Sequence, residues 1–411
     1  MKSSRTLLFP LLLALPLSQF AAEEKADSGL AQFAGVDPNE GTTRSTATRT
    51  PMLIPYPGRT ENYTRAKRTC SGVPGITVSR GGRIWATWWS GTTPGQIIER
   101  DLNAYTVVST SGDGGRTWKE VLAIDPDGPG PLKAFDPQPW VAPDGKLWII
   151  WHHTGVKHAW TIVADDAENE TTGWSAPRRI TAGVMMNKPT VLRNGDWMFS
   201  VYELVAEDRS LMKALVSSDQ GRTFHVRGAV EVNYDDSLRP QASEPMLVER
   251  KDGTLWMLIR TTQGIGESTS SNGGVTWAPL RTQAIKHTAS RFYIGRLNSG
   301  NLLLAKHMGI DVDPASVGRL QRRELTAFIS KDDGKTWSGG LMIDERIGCS
   351  YPDVQQTADG TLYVIWDFMR SKEQEIMMTT FREEDVLSAS AEAARKVAAN
   401  RKLVSKGGTP E

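Results

Sequence analysis

One hairpin unit recurs six times along the chain, and its clearest copy is SEPMLVERKDGTLWMLIRT, from Ser243 to Thr261. Two runs of apolar residues flank a Lys-Asp-Gly turn, which predicts two short strands joined by a tight connection. The middles of both strands are apolar at consecutive positions, as in strands that are buried on both faces. The chain is therefore predicted to consist of repeated small antiparallel sheets.

The turn glycine aligns the six copies, which turn at Gly82, Gly145, Gly195, Gly253, Gly300 and Gly360. The residues nine positions earlier, or seven in the third copy, are Val73, Asp136, Lys188, Glu244, Arg291 and Tyr351. The residues seven positions later are Trp89, His152, Tyr202, Arg260, His307 and Asp367. Most of these side chains are charged or polar, where a purely structural repeat would place apolar ones. We interpret the two sets as two rings that line one shared pocket.

A second motif, Ser-x-Asp/Asn-x-Gly-x-Thr-Trp/Phe, occurs four times, with its serine at Ser111, Ser217, Ser270 and Ser330. The Asp or Asn accepts backbone N–H bonds inside a turn, the Gly takes a left-handed conformation and the aromatic ring packs between strands. ADDAENETTGW, residues 164–174, fits a degenerate fifth copy. Six hairpins and four such turns predict an all-β, six-bladed β-propeller, with blades of about 50 to 60 residues.

The two ends of the chain lie outside the repeats. Residues 1–22 carry two basic residues and then an apolar run, which predicts a signal peptide and a secreted or periplasmic protein. Residues 23–50 are predicted to be a disordered linker, 51–382 the propeller, and 383–411 a short C-terminal helix and tail. The sixth unit lacks a fourth strand, so the strand-like run at 52–57 is predicted to close the ring there.

Charge and cysteine content limit the partners. With 48 basic and 47 acidic residues the chain is nearly neutral, which argues against nucleic acid or an anionic membrane as the main partner. No membrane span is predicted, and a monomer is expected. A closed ring would make Cys70 and Cys349 neighbours, so they are expected to form either a disulfide or two isolated thiols.

The second motif matches the Asp box of sialidases, and the chain from about residue 71 to 381 resembles exported bacterial sialidase relatives with BNR repeats. The resemblance is carried by MMNKPTVL, VERKDGTLWML and KDDGKTWSGGL. It implies a retaining glycoside hydrolase without a cofactor that removes a terminal acidic sugar from a glycan, most simply an α-linked sialic acid. The superfamily also contains enzymes that act on other acidic sugars.

The resemblance assigns roles to four residues. Tyr351 matches the sialidase nucleophile, which is a tyrosine because a carboxylate would be repelled by an anionic sugar. Glu244 matches the residue that takes the phenol proton, and Arg260, sixteen positions later, matches the second substrate-binding arginine. Arg322 stands where the third arginine is expected, with Arg323 as the competing choice because only one of two consecutive strand residues faces the pocket.

The chain departs from the sialidase pattern in blade one. Gly72, in Ser-Gly-Val-Pro, stands where sialidases have their first arginine, and Arg68 is a nearby substitute. For the general acid/base, Asp101 in the loop after the second strand and Asp136 at a ring position remain equal candidates.

The other ring residues are expected to line the substrate pocket: Arg291, Lys188, His152, His307, Asp367 and Trp89. The histidines lack metal-ligand spacing, so no metal is predicted. They leave open a glycosidase or lyase that acts on another uronate-containing polysaccharide, with a histidine taking part. A propeller that binds glycans without turnover is the third alternative.

Overall fold

The computed structural model describes residues 50–93, 103–128, 130, 132–154, 157–234, 242–308 and 322–410. Within these ranges, 25 strands form six antiparallel sheets, each corresponding to one hairpin unit with its outer strands. The predicted all-β, six-bladed architecture is confirmed. The predicted signal peptide and nearly all of the predicted linker lie outside the described residues.

Blades one to three are as follows. Blade one contains β1 (Met52–Pro55), β2 (Cys70–Val78), β3 (Ile84–Gly91), β4 (Ala104–Ser111) and β5 (Lys119–Asp125). Blade two contains β6 (Ala134–Val141), β7 (Leu147–His153), β8 (His158–Ala164) and β9 (Arg178–Ala182). Blade three contains β10 (Thr190–Val191), β11 (Trp197–Ala206), β12 (Arg209–Ser217) and β13 (His225–Asn233).

Blades four to six complete the set. Blade four contains β14 (Ser243–Glu249), β15 (Leu255–Thr261), β16 (Gly264–Ser270) and β17 (Arg281–Ile285). Blade five contains β18 (Tyr293–Arg296), β19 (Leu302–His307), β20 (Leu325–Ser330) and β21 (Ser338–Asp344). Blade six contains β22 (Cys349–Gln356), β23 (Leu362–Phe368), β24 (Glu375–Phe381) and β25 (Lys402–Lys406), with helices α1 (Glu383–Ser388) and α2 (Ala391–Ala399) between its last two strands.

The hydrophobic core is divided into clusters that lie mainly between neighbouring blades. One cluster contains Trp85 of blade one and Trp151 of blade two. Another contains Trp88 of blade one and Met378 of blade six, and β2 of blade one contacts β22 of blade six, so the first and last blades are also in contact. Both faces of the inner strands are buried in this arrangement, which explains why their sequences are apolar at consecutive positions.

The closing strand differs from the predicted one. β1 pairs with β5, from Met52 opposite Asp125 to Pro55 opposite Leu122, and so covers the outer edge of blade one. Blade six is completed by β25, which lies beyond residue 382 in the stretch predicted as helix and tail. β25 has only two apolar residues, in KLVSK, and it follows a helix, so its sequence carries little strand pattern.

The four Asp boxes form the predicted turn. In the box of blade five, the backbone N–H of Gly334 donates to Oγ of Ser330 at 2.7 Å. The backbone N–H of Thr336 donates to Oδ1 of Asp332 at 2.8 Å, and its hydroxyl donates to Oδ2 at 2.6 Å. These bonds favour the ionised carboxylate and lower the pKa of Asp332 to about 2.

Replacing the box aspartate should change how stability depends on pH. The pKa of Asp332 is lower than its ordinary value of 3.8, so its stabilising contribution is present above that value and is lost as the pH falls towards about 2. We therefore expect the melting temperature of wild type to exceed that of Asp332→Asn at pH 7, and the difference to shrink between pH 4 and pH 2. Asn272, the natural amide in the box of blade four, accepts the corresponding bond from Thr276 and shows that the turn tolerates the change. A difference that is constant from neutral to acid pH would contradict the expectation.

Neither cysteine is in a disulfide, and both are buried at the starts of β2 and β22. The disulfide that the sequence allowed between Cys70 and Cys349 is not formed. Sγ of Cys349 instead donates to the carbonyl oxygen of Asp344 at 3.8 Å. Burial raises the pKa of the Cys349 thiol, which keeps it protonated.

Among the helices of the described ranges, none has the length and apolar character needed to cross a membrane.

Candidate functional site

A β-bulge recurs at the start of the first hairpin in four blades. Each bulge contains a non-glycine residue with a positive φ, between +49° and +56°, followed at once by proline; the four are Val73, Asp136, Glu244 and Tyr351. A left-handed conformation of this kind costs about 1 to 3 kcal/mol and persists where the surrounding structure enforces it. These are residues of the first predicted ring, so the bulge removes their side chains from the ordinary alternation of the strand.

Three residues from two blades meet at the phenol of Tyr351. Its Oη donates to Oε1 of Glu244 at 3.0 Å, and Nη1 of Arg260 donates to the same Oη at 2.8 Å. Nη1 of Arg260 also donates to Oε1 of Glu244, so the three groups form a closed triangle. All three residues are buried, with 5 to 7% of their surface exposed. The other carboxylate oxygen of Glu244 has no partner among the described residues.

Two further arginines lie against the ring of Tyr351. The guanidinium carbon of Arg370 is 4.1 Å from the ring centroid, and that of Arg322 is 5.4 Å away. Arg322 and Arg260 both donate to the carbonyl oxygen of Ala289, at 3.2 and 3.0 Å. This shared acceptor holds the two guanidinium groups close together.

The environment of Tyr351 acts on its pKa in both directions. Burial is the largest cause and raises the pKa, and the negative charge of Glu244 acts in the same direction. The positive charges of Arg260, Arg322 and Arg370 oppose these effects. The result is a protonated phenol at neutral pH, with a carboxylate in place to take the proton and guanidinium groups in place to stabilise a phenolate.

Asp136 lies on β6 and has His152 as its neighbour. Oδ2 of Asp136 is 3.6 Å from Nδ1 of His152, and the side chain of Asp136 is 12% exposed. Burial lowers the pKa of His152 to about 3, so the ring is neutral at physiological pH. The other candidate acid/base, Asp101, lies outside the described residues.

Lys188 and Arg291 belong to a different group, in which both are paired with Asp353. Nζ of Lys188 is 2.9 Å from Oδ2 of Asp353, and Nη2 of Arg291 is 3.5 Å from its Oδ1. Nζ of Lys188 also donates to the carbonyl oxygens of Ile76 and Val354. This group, which we call the central ion cluster, links blades one, three, five and six and has no contact with Tyr351 among the interactions of the described residues.

The second predicted ring is also divided. Arg260 meets Tyr351, as described above. His307 stacks on His287 with ring centroids 5.6 Å apart, and its Nδ1 lies 3.2 Å from the carbonyl oxygen of Arg323. Trp89 packs on Phe135 of blade two at 4.4 Å.

Asp367 binds both Arg370 and the strand of blade one. Its Oδ2 accepts from Nε of Arg370 at 3.0 Å and from the backbone N–H of Val73 at 2.9 Å. Its Oδ1 accepts from the hydroxyl of Ser350 at 2.7 Å. The carboxylate therefore positions Arg370 beside Tyr351. Arg68, considered as a substitute for the absent arginine, instead pairs with Glu120.

Sequence reasoning missed Arg370 and Asp353. Arg370 lies three residues after the ring position Asp367, outside the repeat, so the alignment of the hairpins does not reach it. Asp353 lies two residues after Tyr351, across the register shift of the bulge, where strand alternation is interrupted and gives no sequence signal.

A cavity of about 470 Å³ lies elsewhere, among the ends of the first strands of blades three to five. Its walls include Lys188, Arg193, Met246 and Arg296, and none of the residues around Tyr351. Within the described residues, no group of three or more His, Cys, Asp or Glu side chains is arranged to hold a metal ion.

Comparison with solved structures supports the fold. The Hadza microbial sialidase Hz136 aligns with 79% of this chain and 68% of its own, at 18% identity and a TM-score of 0.61. A protein of unknown function from Dyadobacter fermentans aligns over 78% of this chain and 94% of its own, at 16% identity and a TM-score of 0.59. The NanB sialidase from Streptococcus pneumoniae gives 12% identity, 75% and 67% coverage and a TM-score of 0.57. A comparison with curated proteins finds no match.

The sequence model of the BNR repeat-like domain matches residues 131–364, which is more than half of the 411 residues. This stretch runs from blade two to the first hairpin of blade six and contains Glu244, Arg260 and Tyr351. The chain therefore belongs to the BNR repeat-like domain family.

Proposed function

We propose that the protein is an exo-acting, retaining glycoside hydrolase that removes a terminal acidic sugar from glycans, most simply an exo-α-sialidase. The observation that carries the proposal is the phenol of Tyr351, which donates to Glu244 and accepts from Arg260 in a buried cluster of guanidinium groups. A nucleophile within hydrogen-bond reach of its base is the general arrangement of covalent catalysis.

The environment of Arg322 supports an anionic substrate. Its side chain is 7% exposed, yet among the described residues it has no carboxylate partner and its hydrogen-bond acceptor is the neutral carbonyl of Ala289. Buried charges in proteins are normally paired, because an isolated ion is poorly solvated there. A carboxylate on the substrate supplies the missing partner through charge-assisted hydrogen bonds.

The reaction follows from these positions. Oη of Tyr351 attacks the anomeric carbon, its proton passes to Glu244, and the bond to the leaving group breaks. A carboxylic acid protonates the leaving oxygen. That same carboxylate then takes a proton from water, the water oxygen attacks the anomeric carbon, the bond between that carbon and Oη of Tyr351 breaks, and the phenolate regains its proton from Glu244. Two displacements give net retention of configuration.

Asp136 or Asp101 is the proposed acid/base. Asp136 is mostly buried and lies in the strained conformation that it shares with Glu244 and Tyr351. Asp101 follows β3 in the sequence, in the segment to which the resemblance to sialidases assigns this residue.

Other parts of the proposal rest on the sequence alone. The basic and apolar character of residues 1–22 supports export to the periplasm or the medium. The enzyme is proposed to act as a monomer and without a cofactor.

The rival reading, a lyase or glycosidase that uses a histidine as its base, has less support. His152 and His307 both have a pKa lowered to about 3 by burial. Proton transfer is most effective when the pKa of the base is near the operating pH, so these rings are poor bases at neutral pH.

The test is hydrolysis of the 4-methylumbelliferyl α-ketoside of sialic acid by purified protein, beside the corresponding β-D-glucuronide and β-D-glucoside. We expect fluorophore release from the sialoside and none from the neutral glucoside. Release from the glucuronide alone would support a glycoside hydrolase, but one that removes a uronic acid and not sialic acid. Sugar binding without release from any of them would favour the glycan-binding propeller and overturn the catalytic proposal. NMR of the first-formed sugar anomer reports retention.

A further inference from the structure

Gly72 occupies the position in blade one where the resemblance places the first substrate-binding arginine. It lies on β2 opposite Trp89 of β3, directly before the bulged Val73. Its φ is not among the positive values of the glycines, so its backbone accepts other residues. The lack of a side chain at this position therefore needs an explanation other than backbone conformation.

The space beside Gly72 is filled by Arg370. A Cβ atom at position 72 would lie 2.7 Å from Cδ of Arg370, 2.8 Å from its Nε and 2.9 Å from its Cγ. These distances are shorter than van der Waals contact, and the atoms belong to the middle of the side chain, so a side chain at 72 and the observed Arg370 exclude each other. The carbonyl oxygen of Arg370 also accepts from the backbone N–H of Ser71 at 3.0 Å, which ties the loop of blade six to the strand of blade one.

The guanidinium of Arg370 is held beside Tyr351. Nε donates to Asp367 at 3.0 Å and Nη2 donates to Oγ of Ser350 at 3.2 Å. Its carbon atom is 4.1 Å from the centroid of the Tyr351 ring, closer than that of Arg322. Three guanidinium groups thus surround one phenol.

Among the described residues, guanidinium groups outnumber carboxylates around Tyr351. The guanidinium groups are those of Arg260, Arg322 and Arg370, and the carboxylates are those of Glu244 and Asp367. This excess of positive groups favours a ligand that carries a carboxylate.

We infer that Arg370 of blade six replaces the absent arginine of blade one, and that it binds the substrate carboxylate together with Arg260 and Arg322. The inference rests on the proposed function, because it assigns a residue to the same site. It explains Gly72 as a requirement of the site: the arginine enters from the neighbouring blade, and position 72 must be empty to admit it. Asp367 ties the two blades together at this point, since it accepts from both Arg370 and the backbone N–H of Val73.

The first experiment tests the shared space by melting temperature. Gly72→Arg is expected to lower the melting temperature in the wild-type background, because its side chain collides with Arg370. In Arg370→Gly the same Gly72→Arg change should cost much less, since the space is free. Equal costs in the two backgrounds would overturn the steric part of the inference, and this measurement is independent of any activity.

The second experiment tests the ligand. N-acetylneuraminic acid and D-glucuronic acid, each beside its methyl ester, are titrated into wild type, Arg370→Ala and Arg59→Ala by calorimetry. Arg59 is a control because it lies outside the site, over the ring of Tyr56. We expect Arg370→Ala to weaken binding of at least one free acid by roughly 10- to 100-fold, with a much smaller change for its ester. The Gly72→Arg/Arg370→Gly double variant should recover part of the loss.

The outcomes separate this inference from the proposed function. If an acid binds in a way that depends on Arg370 but no glycoside is hydrolysed, the inference about Arg370 is supported and the proposed hydrolase function is wrong. If the sialoside is hydrolysed, and the preference for the free acid over its methyl ester is the same in wild type and Arg370→Ala, the proposed hydrolase stands and the inference about Arg370 is wrong. Absence of binding by either acid to wild type overturns both.

Discussion

Tyr351→Phe is expected to lower kcat/KM on the fluorogenic sialoside by about 10³-fold or more and to leave the propeller folded. The substitution removes only Oη, the atom that would attack the anomeric carbon. The aromatic ring that Arg370 and Arg322 contact remains in place. Glu244 and Arg260 keep their ion pair, so no buried charge loses its partner.

The loss should appear mainly in kcat. Tyr351 contributes its phenol oxygen to a bond that forms in the transition state, while the guanidinium groups that bind the carboxylate are unchanged. Glu244→Gln should also lower kcat, because the amide cannot take the phenol proton that burial retains on Tyr351. The two losses should not add in the double variant, since the residues act as one unit.

Tyr363→Phe on β23 is the matched control in the same blade. It removes a tyrosine hydroxyl outside the triangle of Tyr351, Glu244 and Arg260 and should leave kcat/KM within a factor of about two, as expected for a small change away from the reacting atoms. If Tyr351→Phe retained a tenth or more of wild-type activity, another nucleophile would have to act. If Tyr351→Phe instead showed no melting transition, Glu244→Gln would be used for the comparison. Full activity of Glu244→Gln would contradict the proposed roles of Tyr351 as nucleophile and Glu244 as its base.

The fold could be predicted from sequence because it is periodic. Each blade repeats an apolar hairpin with a glycine at the turn, and both signals are local. The closing strand was missed because β25 has no such periodicity and is defined by its pairing with β24. Pairing partners that are distant in sequence leave no local pattern.

The site could be predicted only in part, since a ring position in sequence does not specify a direction in space. Glu244 and Tyr351 are turned by their bulges to a common point, while Arg291, which lacks a following proline and a positive φ, joins the central ion cluster. The bulge thus separates Glu244 and Tyr351 from Arg291, but it does not by itself bring a side chain to the phenol, because Val73 and Asp136 also have it. Among the described ring residues, the bulge occurs at the four positions where a proline follows and the strand register shifts. A following proline alone does not indicate a bulge, because Lys188 also precedes a proline.

Arg370 shows a second limit of the sequence. The repeat identifies equivalent positions in the six blades, but the absent arginine of blade one and the extra arginine of blade six are 298 positions apart. Their relation appears only when the ring is closed and the two blades are in contact.

Asp353→Asn should be the most destabilising single change in the central ion cluster. Asp353 is 1% exposed and pairs with both Lys188 and Arg291, and its Oδ2 accepts from the backbone N–H of Ile76 at 2.8 Å. The amide oxygen in Asp353→Asn can still accept from the backbone N–H of Ile76. The two buried cations, Lys188 and Arg291, however lose the negative charge with which they are paired. Breaking a buried ion pair from one side costs about 3 to 5 kcal/mol of unfolding free energy, which denaturant titration would measure.

The comparison with Lys188→Met tests the reason for that loss. Burial lowers the pKa of Lys188 and the charge of Asp353 opposes this effect, so the lysine can lose its proton when Asp353 is neutralised. Lys188→Met leaves Asp353 paired with Arg291 and should therefore cost less than Asp353→Asn. Asp165→Ala, which breaks the exposed pair of Asp165 with Lys146, should change stability too little to measure. Equal effects of Asp353→Asn and Asp165→Ala would show that the central ion cluster does not hold the blades together.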